Sequence, residues 1–485
     1  MKRLFILTAV TCLLGLTGCE KFLSKVPNNN RTNLDSPEKV SQLLASAYPQ
    51  GNYMNFAESM SDNVADIGTG SNDDINADSF FFKVVGDDQQ DSPEFYWTSC
   101  YAAIAAANQA LDAIGQAPNP EAYSSQKGEA LVARAYSHFM LVTFFAKVYD
   151  ENAATNLGIP YVTVPEKVVF KQYSRGTVKS VYDMIEKDLN DGLALLSDQA
   201  YAVPKYHFTR TATHAFAARF YLFKRDWNKV IEHANIVFPN NNVVPWLRPW
   251  NTEYKNTPDY RDLLARYQKA TENANILLTE TVSFWSRMYT YRYGFETSLK
   301  NLILGQNVTG GTWSFNNQLL FGQANHYLLP KINEYFVPVS VNANIGTGYV
   351  MVPALTAEEV LFNRAEAYTQ LNNTDAAIAD LDVYASTRIN NYSATTHKIT
   401  AAKIQTFYNT TDLKQGLIKT ILDFKRAEYV QEGMRWFDIL RHKLPVVHYS
   451  SITGQTLAEL TPDDPRRVIQ IPSSATLSGV ELNPR

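Results

Sequence analysis

Helix-length apolar patterns that follow one another at short intervals constrain the fold of this chain most. Residues 36–38 and 92–94 both read Ser-Pro-Glu, which predicts two helix starts, because serine caps a helix N-terminus and proline suits the first helical position. The second of these helices is predicted to reach about Ile114. Residues 121–148 are predicted to form a second long helix, with apolar residues near helical spacing. Both helices are rich in alanine, which lets helices approach closely.

More helices are predicted in the next hundred residues. Residues 176–197 and 211–224 carry apolar residues at helical spacing. Asp226 then stands where a helix cap is expected, ahead of a helix that contains Trp227 and Val230.

The same arrangement returns in the C-terminal third. Thr356 and Glu359 have the spacing of a capping box, which predicts a helix that extends to Leu371. A second helix is predicted from Thr374 to about Ile389. Helix, short turn, helix is the local pattern of tetratricopeptide-type repeats, although their strict consensus is absent. The sequence therefore predicts a mostly α, all-α class fold built from an array of helix pairs.

Residues 239–353 break this pattern and are predicted to form a loop-rich insertion with short helices and a hairpin. The segment is rich in Asn, Gly, Pro and aromatic residues, and long irregular segments in compact proteins are often functional. Aromatic rings can stack on sugar rings or on peptides, and two or three of them are expected on one concave surface, although large aromatics are often buried. The predicted ligand-binding residues are Trp246, Trp250, Trp285, Tyr289, Tyr291, Trp313, Phe315 and Asp74.

The N-terminus predicts a lipid anchor at Cys19. Lys2 and Arg3 precede a short apolar run over residues 4–16, and small residues then lead to the cysteine. These are the features of a bacterial lipoprotein signal, and an ordinary secretory leader is the alternative. Residues 1–18 are then the signal peptide and residues 19–35 the lipid anchor and a polar tether.

Bulk composition excludes some classes of function. The formal net charge of -4 gives no electrostatic footprint for nucleic acid. Of the three cysteines, Cys12 leaves with the leader and Cys19 carries the lipid, so only Cys100 remains and no internal disulfide is expected. Cys100 is expected to be a small core residue rather than a nucleophile.

No constellation of catalytic residues is evident. Glu428 and Glu432 are four residues apart, a spacing at which two carboxylates on one helix could serve glycoside hydrolysis. Residues 426–441 favour instead a ladder of ion pairs on a helix, formed by Glu432, Arg435, Asp438 and Arg441 at intervals of three. The eight histidines show no metal-ligand spacing.

Residues 72–78 (NDDINAD) place oxygen acceptors at alternating positions, as at the start of a calcium-binding loop. The glycine and the closing glutamate of that motif are missing, since Ser79 and Val85 occupy those positions. A solvated or ligand-facing polar loop is the preferred interpretation, with no cofactor and with calcium as the lesser alternative.

An ordered set of motifs resembles the SusD/RagB family of Bacteroidetes outer-membrane lipoproteins, and the resemblance covers essentially the whole mature chain. The set begins with Cys19 followed by a Phe-Leu pair, and the most specific match is FKRAEYVQEGMRWFDILR at residues 424–441. The other matching segments are the Trp-Tyr-Ile-Asn helix at 97–108, Arg-Ala-Tyr at 134–136, Gly-Ile-Pro-Tyr at 158–161, VLFNRAEAYTQL at 360–371, VIQIP at 468–472, with a strand-like run over 468–471, and Asn-Pro at 483–484.

The resemblance implies a superhelix of four tetratricopeptide-like helix pairs that carries a variable, loop-rich ligand region. It implies one domain over residues 36–485, with a helical core over about 36–238 and 354–445. It also implies a binding protein, not an enzyme, that forms a lid over a SusC-type TonB-dependent transporter at the outer membrane and loads it with oligosaccharides. Peptides are the alternative ligand, as in the RagB branch, and a lipid-anchored hydrolase is the least favoured alternative.

Overall fold

The computed structural model describes residues 34–168, 171–322, 325–341 and 343–485. The predicted leader, Cys19 and most of the tether lie outside these residues. Helices dominate the part of the chain that the structure describes, and the sheets are few and small, which confirms the predicted fold class.

Three helices of the N-terminal half begin where their caps were predicted. The side chains of Ser36, Ser92 and Asp226 each accept a hydrogen bond from the backbone N–H three residues later. The bounds are α1 Pro37–Leu44, α2 Met54–Ser59, α3 Asp74–Phe80, α4 Pro93–Gln116, α5 Ser124–Phe145, α6 Val178–Leu193, α7 Arg210–Lys224 and α8 Trp227–Val237.

Two of these helices are shorter than predicted. The helix predicted over 121–148 is α5, which follows a 3-10 turn at Pro120–Tyr123 and stops because Ala146 is extended. The helix predicted over 176–197 is α6, which begins after a capping box between Thr177 and Ser180. Helix ends depend on such local bonds, so periodicity alone overestimated both lengths.

Successive helices pack side by side into a superhelix. Helix α5 packs against both α4 and α6, and α7 packs against α8. The α5–α6 contact needs glycine, because a β-carbon at Gly128 would lie 2.8 Å from the carbonyl oxygen of Gly192. The array then continues from α8 to the C-terminal helices.

The C-terminal helices extend the array. Helix α8 packs against Ala357–Gln370, which in turn packs against the next helix and against Leu413–Glu428. With α9 Tyr260–Tyr267 and α10 Thr297–Ile303 in the insertion, the bounds are α11 Ala357–Gln370, α12 Thr374–Ser386, α13 Ala401–Tyr408, α14 Leu413–Glu428 and α15 Arg435–Arg441.

Only one of the two hydrogen bonds of the capping box predicted at Thr356 is present. The Thr356 hydroxyl accepts a hydrogen bond from the Glu359 N–H. The Glu359 carboxylate does not return to the cap, since it pairs instead with the buried guanidinium of Arg219. The ion pair with Arg219 therefore takes the place of the second hydrogen bond of the capping box.

The ion-pair ladder predicted over 426–441 is wrong except for its last step. Helix α14 ends at Glu428, and Gln431 and Gly433 take positive φ values of 69° and 72° before α15 begins. Asp438 and Arg441 do pair, at 2.8 Å. Glu428 and Glu432 therefore share no helix face, and the other charges pair with distant segments, Glu428 with Arg388, Glu432 with Lys331 and Arg435 with Asp62.

The acidic segment at 72–78 is not a loop. Asp73 caps α3 by accepting a hydrogen bond from the Asn76 N–H at 2.8 Å. The Asn76 side chain is buried and donates to Ser59 Oγ. The acceptors therefore point in several directions around a helix and do not converge as a calcium loop requires.

The insertion contains short helices and a hairpin, as the sequence predicted, and also a three-stranded sheet that was not predicted. Strand β7 pairs antiparallel with β2 and with β6, so the sheet has the order β2-β7-β6. Strands β4 and β5 form a separate hairpin, and β1 pairs with β3. The strands up to this point are β1 Ala65–Asp66, β2 Asn275–Val282, β3 Tyr293–Gly294, β4 Leu320–Phe321, β5 Tyr327–Leu328, β6 Glu334–Pro338 and β7 Gly346–Thr356.

The C-terminal segment differs from the prediction. The strand-like run at 468–471 is extended but pairs with no strand among the described residues; the Ile469 N–H instead donates to the Phe144 carbonyl at the end of α5. The hairpin that does form, β8 Val446–Tyr449 with β9 Thr456–Leu460, was not predicted.

A continuous buried cluster joins the helical array to the insertion. It contains Phe139 and Phe216 from the helices together with Trp250 and Leu277 from the insertion. Cys100 is fully buried in this core, as expected, and burial raises the pKa of its thiol.

Across residues 34–168, 171–322, 325–341 and 343–485, every helix is too short or too polar to span a membrane.

Candidate functional site

Most of the aromatic side chains predicted to bind ligand lie inside the protein. Tyr289 has 46% of its surface exposed and Trp246 is half-buried. The buried members of the set are Trp250, Trp285, Tyr291, Trp313 and Phe315.

Three of the buried residues form one aromatic cluster. The Phe315 ring centroid lies 4.8 Å from that of Trp250 and 5.7 Å from that of Trp313. Trp313 also packs edge-on against Phe424 of α14. The structure does bring these residues together, but their packed faces leave no platform for a ligand, so their predicted role as stacking residues is not supported.

Trp285 and Tyr291 support the exposed Tyr289 from below. The indole N–H of Trp285 donates to the Gln431 carbonyl at 2.9 Å, and the two buried rings lie 6.0 Å apart. They hold the short 3-10 helix Trp285–Thr290 on the helical scaffold. Tyr289 projects from this anchored turn.

Trp246 lies in a different part of the insertion. Its ring is 5.9 Å from the ammonium group of Lys205, and the neighbouring Pro245 carbonyl accepts a hydrogen bond from Asn273. These contacts tie Trp246 to the start of β2, whereas Tyr289 follows the end of β2. The two rings therefore do not share one surface.

Pairing between two loops joins the segment that leads to Asp74 to the turn that carries Tyr289. The Ser71 N–H donates to the Thr290 carbonyl at 2.7 Å, and the Arg292 N–H donates back to the Ser71 carbonyl. Gly70 permits this approach, because its φ is +114° and a β-carbon there would lie 2.9 Å from the Thr290 oxygen. Asp74 is exposed at the start of α3.

The hairpin β4–β5 adds an exposed phenylalanine that the sequence analysis missed. Phe321 has 65% of its surface exposed, and a β-carbon at the adjacent Gly322 would lie 3.9 Å from the Tyr289 carbonyl oxygen. The sequence gives no signal for this exposure, since Phe321 lies in an apolar run like those of the core. We define the Tyr289 surface as residues 71–74, 287–292 and 321–322.

Two arginines on this surface are held in place by carboxylates. Arg292 makes two parallel hydrogen bonds of 2.8 Å to Asp66. Arg287 pairs in the same way with Glu334, and its guanidinium lies 4.1 Å from the Phe284 ring centroid. Fixed guanidinium groups of this kind orient polar ligands without having to be ordered on binding.

A buried carboxylate anchors the segment from beneath. Asp91 accepts hydrogen bonds from the Ser283 hydroxyl and, at 2.7 Å, from the Phe284 N–H. Burial raises the pKa of Asp91 to about 7, an effect that these hydrogen bonds only partly oppose. The charged state of Asp91 is therefore expected to affect the turn that carries Tyr289.

The chemistry of this surface suits recognition. A tyrosine ring, a phenylalanine ring, a free carboxylate and two fixed guanidinium groups can stack on flat apolar faces and accept or donate hydrogen bonds. Within the described residues, no group of three or more His, Cys, Asp or Glu side chains is arranged to hold a metal ion.

A helix-pair scaffold that presents such a surface from a loop-rich insertion defines a class of helical binding proteins. Family models agree with this architecture. Residues 21–222 match the SusD-like family model described as "Starch-binding associating with outer membrane", and residues 283–480 match the model described as "SusD family". The chain belongs to the SusD/RagB family, whose members are binding proteins associated with the outer membrane.

Solved structures share the fold. A SusD superfamily protein from Bacteroides thetaiotaomicron VPI-5482 is 19% identical with a TM-score of 0.71, over 93% of this chain and 100% of the other. One from Bacteroides fragilis is 18% identical with a TM-score of 0.68, over 92% and 99%. A laminarin binding SusD-like protein is 17% identical with a TM-score of 0.59, over 93% and 99%.

Among curated protein sequences, no significant match was found.

Proposed function

We propose that this protein captures oligosaccharides and delivers them to a SusC-like TonB-dependent transporter, for which it acts as a lid. Carbohydrate binding is supported by the family model described as starch-binding and by a structural neighbour that binds laminarin. On this chain the proposal rests on the exposed Tyr289 ring, whose turn carries the fixed Arg287 and Arg292 and is paired with the segment that leads to Asp74.

The ligand would stack on Tyr289 and exchange hydrogen bonds with its polar neighbours. Sugar rings present C–H faces that fit a flat aromatic ring, and their hydroxyls both donate and accept. Asp74 is exposed and accepts, while Arg287 and Arg292 donate. The exposed Phe321 precedes Gly322, which lies close to the Tyr289 backbone, so Phe321 would contact a second sugar unit.

We propose binding without catalysis. Glycoside hydrolysis requires two carboxylates that flank one bond. Glu428 and Glu432, the pair considered for that role, are buried in separate ion pairs with Arg388 and Lys331. A carboxylate held in this way is unavailable to a substrate at the surface.

A panel of ligands tests the function. Affinity electrophoresis in gels that contain laminarin, starch or another soluble polysaccharide should retard the protein, and a mixture of peptides should not compete. Retardation by no polysaccharide together with binding of peptides would replace the first proposal with the alternative that the protein is a peptide-binding member of the RagB branch.

We also propose that Cys19 carries lipid and that residues 36–485 act as a single domain tethered to the membrane. One anchor near the transporter would raise the effective concentration of the lid. Cys19→Ala should leave ligand binding unchanged and release the protein from outer-membrane fractions. Pull-down of a TonB-dependent transporter with the lipidated protein tests the partner, and recovery of none would contradict the proposed lid.

A further inference from the structure

A second cavity lies away from the Tyr289 surface, between helices α10, α13 and α14. Its volume is about 390 Å³. Small-molecule sites usually measure roughly 300–1,000 Å³, so the cavity can hold a ring of the size of a sugar unit. Its lining includes Trp313, Phe407, Tyr408, Asp423 and Arg426.

Aromatic side chains form one part of the wall. Phe407 is 40% exposed, and its ring lies 4.9 Å from that of Tyr408 and nearly perpendicular to it. These two residues end α13, and the buried Trp313 lines the same cavity. Phe407 and Tyr408 therefore supply the apolar contacts that a sugar ring needs.

Trp313 brings an unused hydrogen-bond donor to this wall. Its indole nitrogen is buried, and no described residue accepts a hydrogen bond from it. Trp250 and Trp436 share this feature, but neither lines the cavity. A buried donor without a partner is unfavourable, so a hydroxyl group that enters the cavity and accepts a hydrogen bond from it is favoured.

One carboxylate, that of Asp423, lines the cavity together with one guanidinium, that of Arg426. The Tyr408 hydroxyl donates to one oxygen of Asp423 at 2.7 Å, and no described lysine or arginine forms an ion pair with that carboxylate. Arg426 is already used, since it pairs with Asp62 and donates to Asn63. Although Asp423 reaches the surface, the protein crowded around it removes hydration and raises the pKa of its carboxyl group.

We propose that this cavity is a second saccharide-binding site, which accepts an uncharged sugar ring and disfavours anionic sugars. Asp423 accepts hydrogen bonds from the hydroxyls, Trp313 donates one, and Phe407 and Tyr408 supply apolar contacts. The exposed amides of Asn301 and Gln306 add polar groups to the lining. The inference rests on the proposed saccharide function but involves none of the residues of the Tyr289 surface.

Tryptophan fluorescence tests the site through its selectivity for charge. The wild-type protein is titrated with glucose and with glucuronate, and each titration is repeated on Asp423→Asn. Glucose should bind about tenfold more tightly than glucuronate to the wild type, because the repulsion by Asp423 and the loss of its hydrogen bonds both penalise the anion. In Asp423→Asn the difference should shrink to about twofold.

Three further variants separate this site from other effects. Asp375→Asn removes an exposed carboxylate on α12 that does not line the cavity, and it should retain the full selectivity. Trp313→Phe should abolish the fluorescence response to glucose. If that variant fails to fold, Phe407→Ala, at a partly exposed position, should weaken glucose binding instead.

Tyr289→Ala distinguishes failure of this inference from failure of the proposed function. It should leave intact the part of the glucose response that depends on Asp423, since Tyr289 does not line the cavity. A response lost in Tyr289→Ala and unchanged in Asp423→Asn would overturn the second site while supporting the first. No response of the wild type to millimolar glucose, or a selectivity unchanged in Asp423→Asn, would also overturn it.

Discussion

Buried carboxylates have different bonding partners in the helical core and beneath the Tyr289 surface. In the core, Glu428 and Glu358 both pair with Arg388, and all three side chains are fully buried. Beneath the Tyr289 surface, Asp91 is equally buried but receives only a hydroxyl and a backbone N–H. In the core, ion pairs hold the helices together. Beneath the turn that carries Tyr289, Asp91 is held by hydrogen bonds and has no cationic partner among the described residues.

The comparison separates residues that hold the fold from those that can meet a ligand. Arginines of the core, such as Arg388, have no exposed surface, while Arg287 and Arg292 pair with carboxylates and remain partly exposed. The same kind of ion pair therefore fixes buried helices in one region and leaves a guanidinium accessible at the surface in the other.

The largest effect is expected for Arg388→Met. The substitution leaves the buried Glu428 without its ion-pair partner and leaves Glu358 with Arg248 alone. Breaking a buried pair usually costs about 3–5 kcal/mol. The free energy of unfolding, measured with urea at pH 7, should fall by that amount. A loss of unfolding free energy below about 1 kcal/mol, as found for exposed pairs, would show that the buried pairs of the core stabilise the fold no more than the exposed pairs of the Tyr289 surface.

Asp91→Asn should stabilise the protein at high pH. The pKa of Asp91 is raised to about 7 in the folded protein. The contribution of Asp91 to the free energy of unfolding is therefore fully present below the unfolded pKa near 3.9 and is lost as the pH rises through about 7. The amide cannot ionise, and it can still accept from Phe284 and donate to Ser283. Urea unfolding should show a gain on the order of 1–4 kcal/mol at pH 8 that disappears near pH 4.

Glu366 provides the matched comparison in the core. Burial alone would raise its pKa, but Arg441 and His442 outweigh this and hold the pKa of Glu366 well below its usual value. Its contribution is therefore present above the unfolded pKa near 4.3 and is lost as the pH falls below it. Glu366→Gln should cost most stability at neutral pH and least in acid, and a trend like that of Asp91→Asn would contradict the contrast.

Gly70→Ala should disturb the Tyr289 surface itself. At a φ of +114°, a β-carbon would strain the backbone and approach the carbonyl oxygen of Thr290. Strain of this kind costs about 1–3 kcal/mol, and ligand binding should weaken with it. Gly86→Ala is the control, because a β-carbon there meets no atom within 4 Å. Equal melting temperatures and affinities for the two variants would show that the loop pairing is unimportant.

The smallest effect is expected for Arg292→Met. Its pair with Asp66 is partly exposed, so solvent screens the interaction and the loss of stability should stay below about 1 kcal/mol. The affinity for ligand should fall more noticeably than the stability, since the guanidinium is one of the donors of the surface. A stability loss as large as that of Arg388→Met would make Arg292 part of the scaffold.

The sequence predicted the scaffold better than the site. Helix caps at Ser36, Ser92 and Asp226 are local, and the structure confirmed them. Features that the local sequence did not indicate account for the wrong predictions. The positive φ values at Gln431 and Gly433 interrupt the helix on which the ion-pair ladder was predicted. Glu359 pairs with the distant Arg219 and not with its own helix cap.

Exposure was the property that the sequence could not supply. Trp313 and Tyr289 looked equivalent as aromatic residues of the insertion, yet one is in the core and the other at the surface. An aromatic side chain suits either environment, so only its tertiary neighbours decide between them. For the same reason Phe321, Phe407 and Tyr408 were overlooked.

The proposal that the ligand stacks on Tyr289 is tested by calorimetric titration of Tyr289→Ala with the polysaccharide that binds the wild type. Tyr206→Ala is the control, because Tyr206 is 39% exposed and lies near the opposite end of β2. The account predicts that Tyr289→Ala weakens binding by about tenfold or more with little change in stability, while Tyr206→Ala changes the affinity by less than about twofold. Equal affinities for the two variants would contradict it.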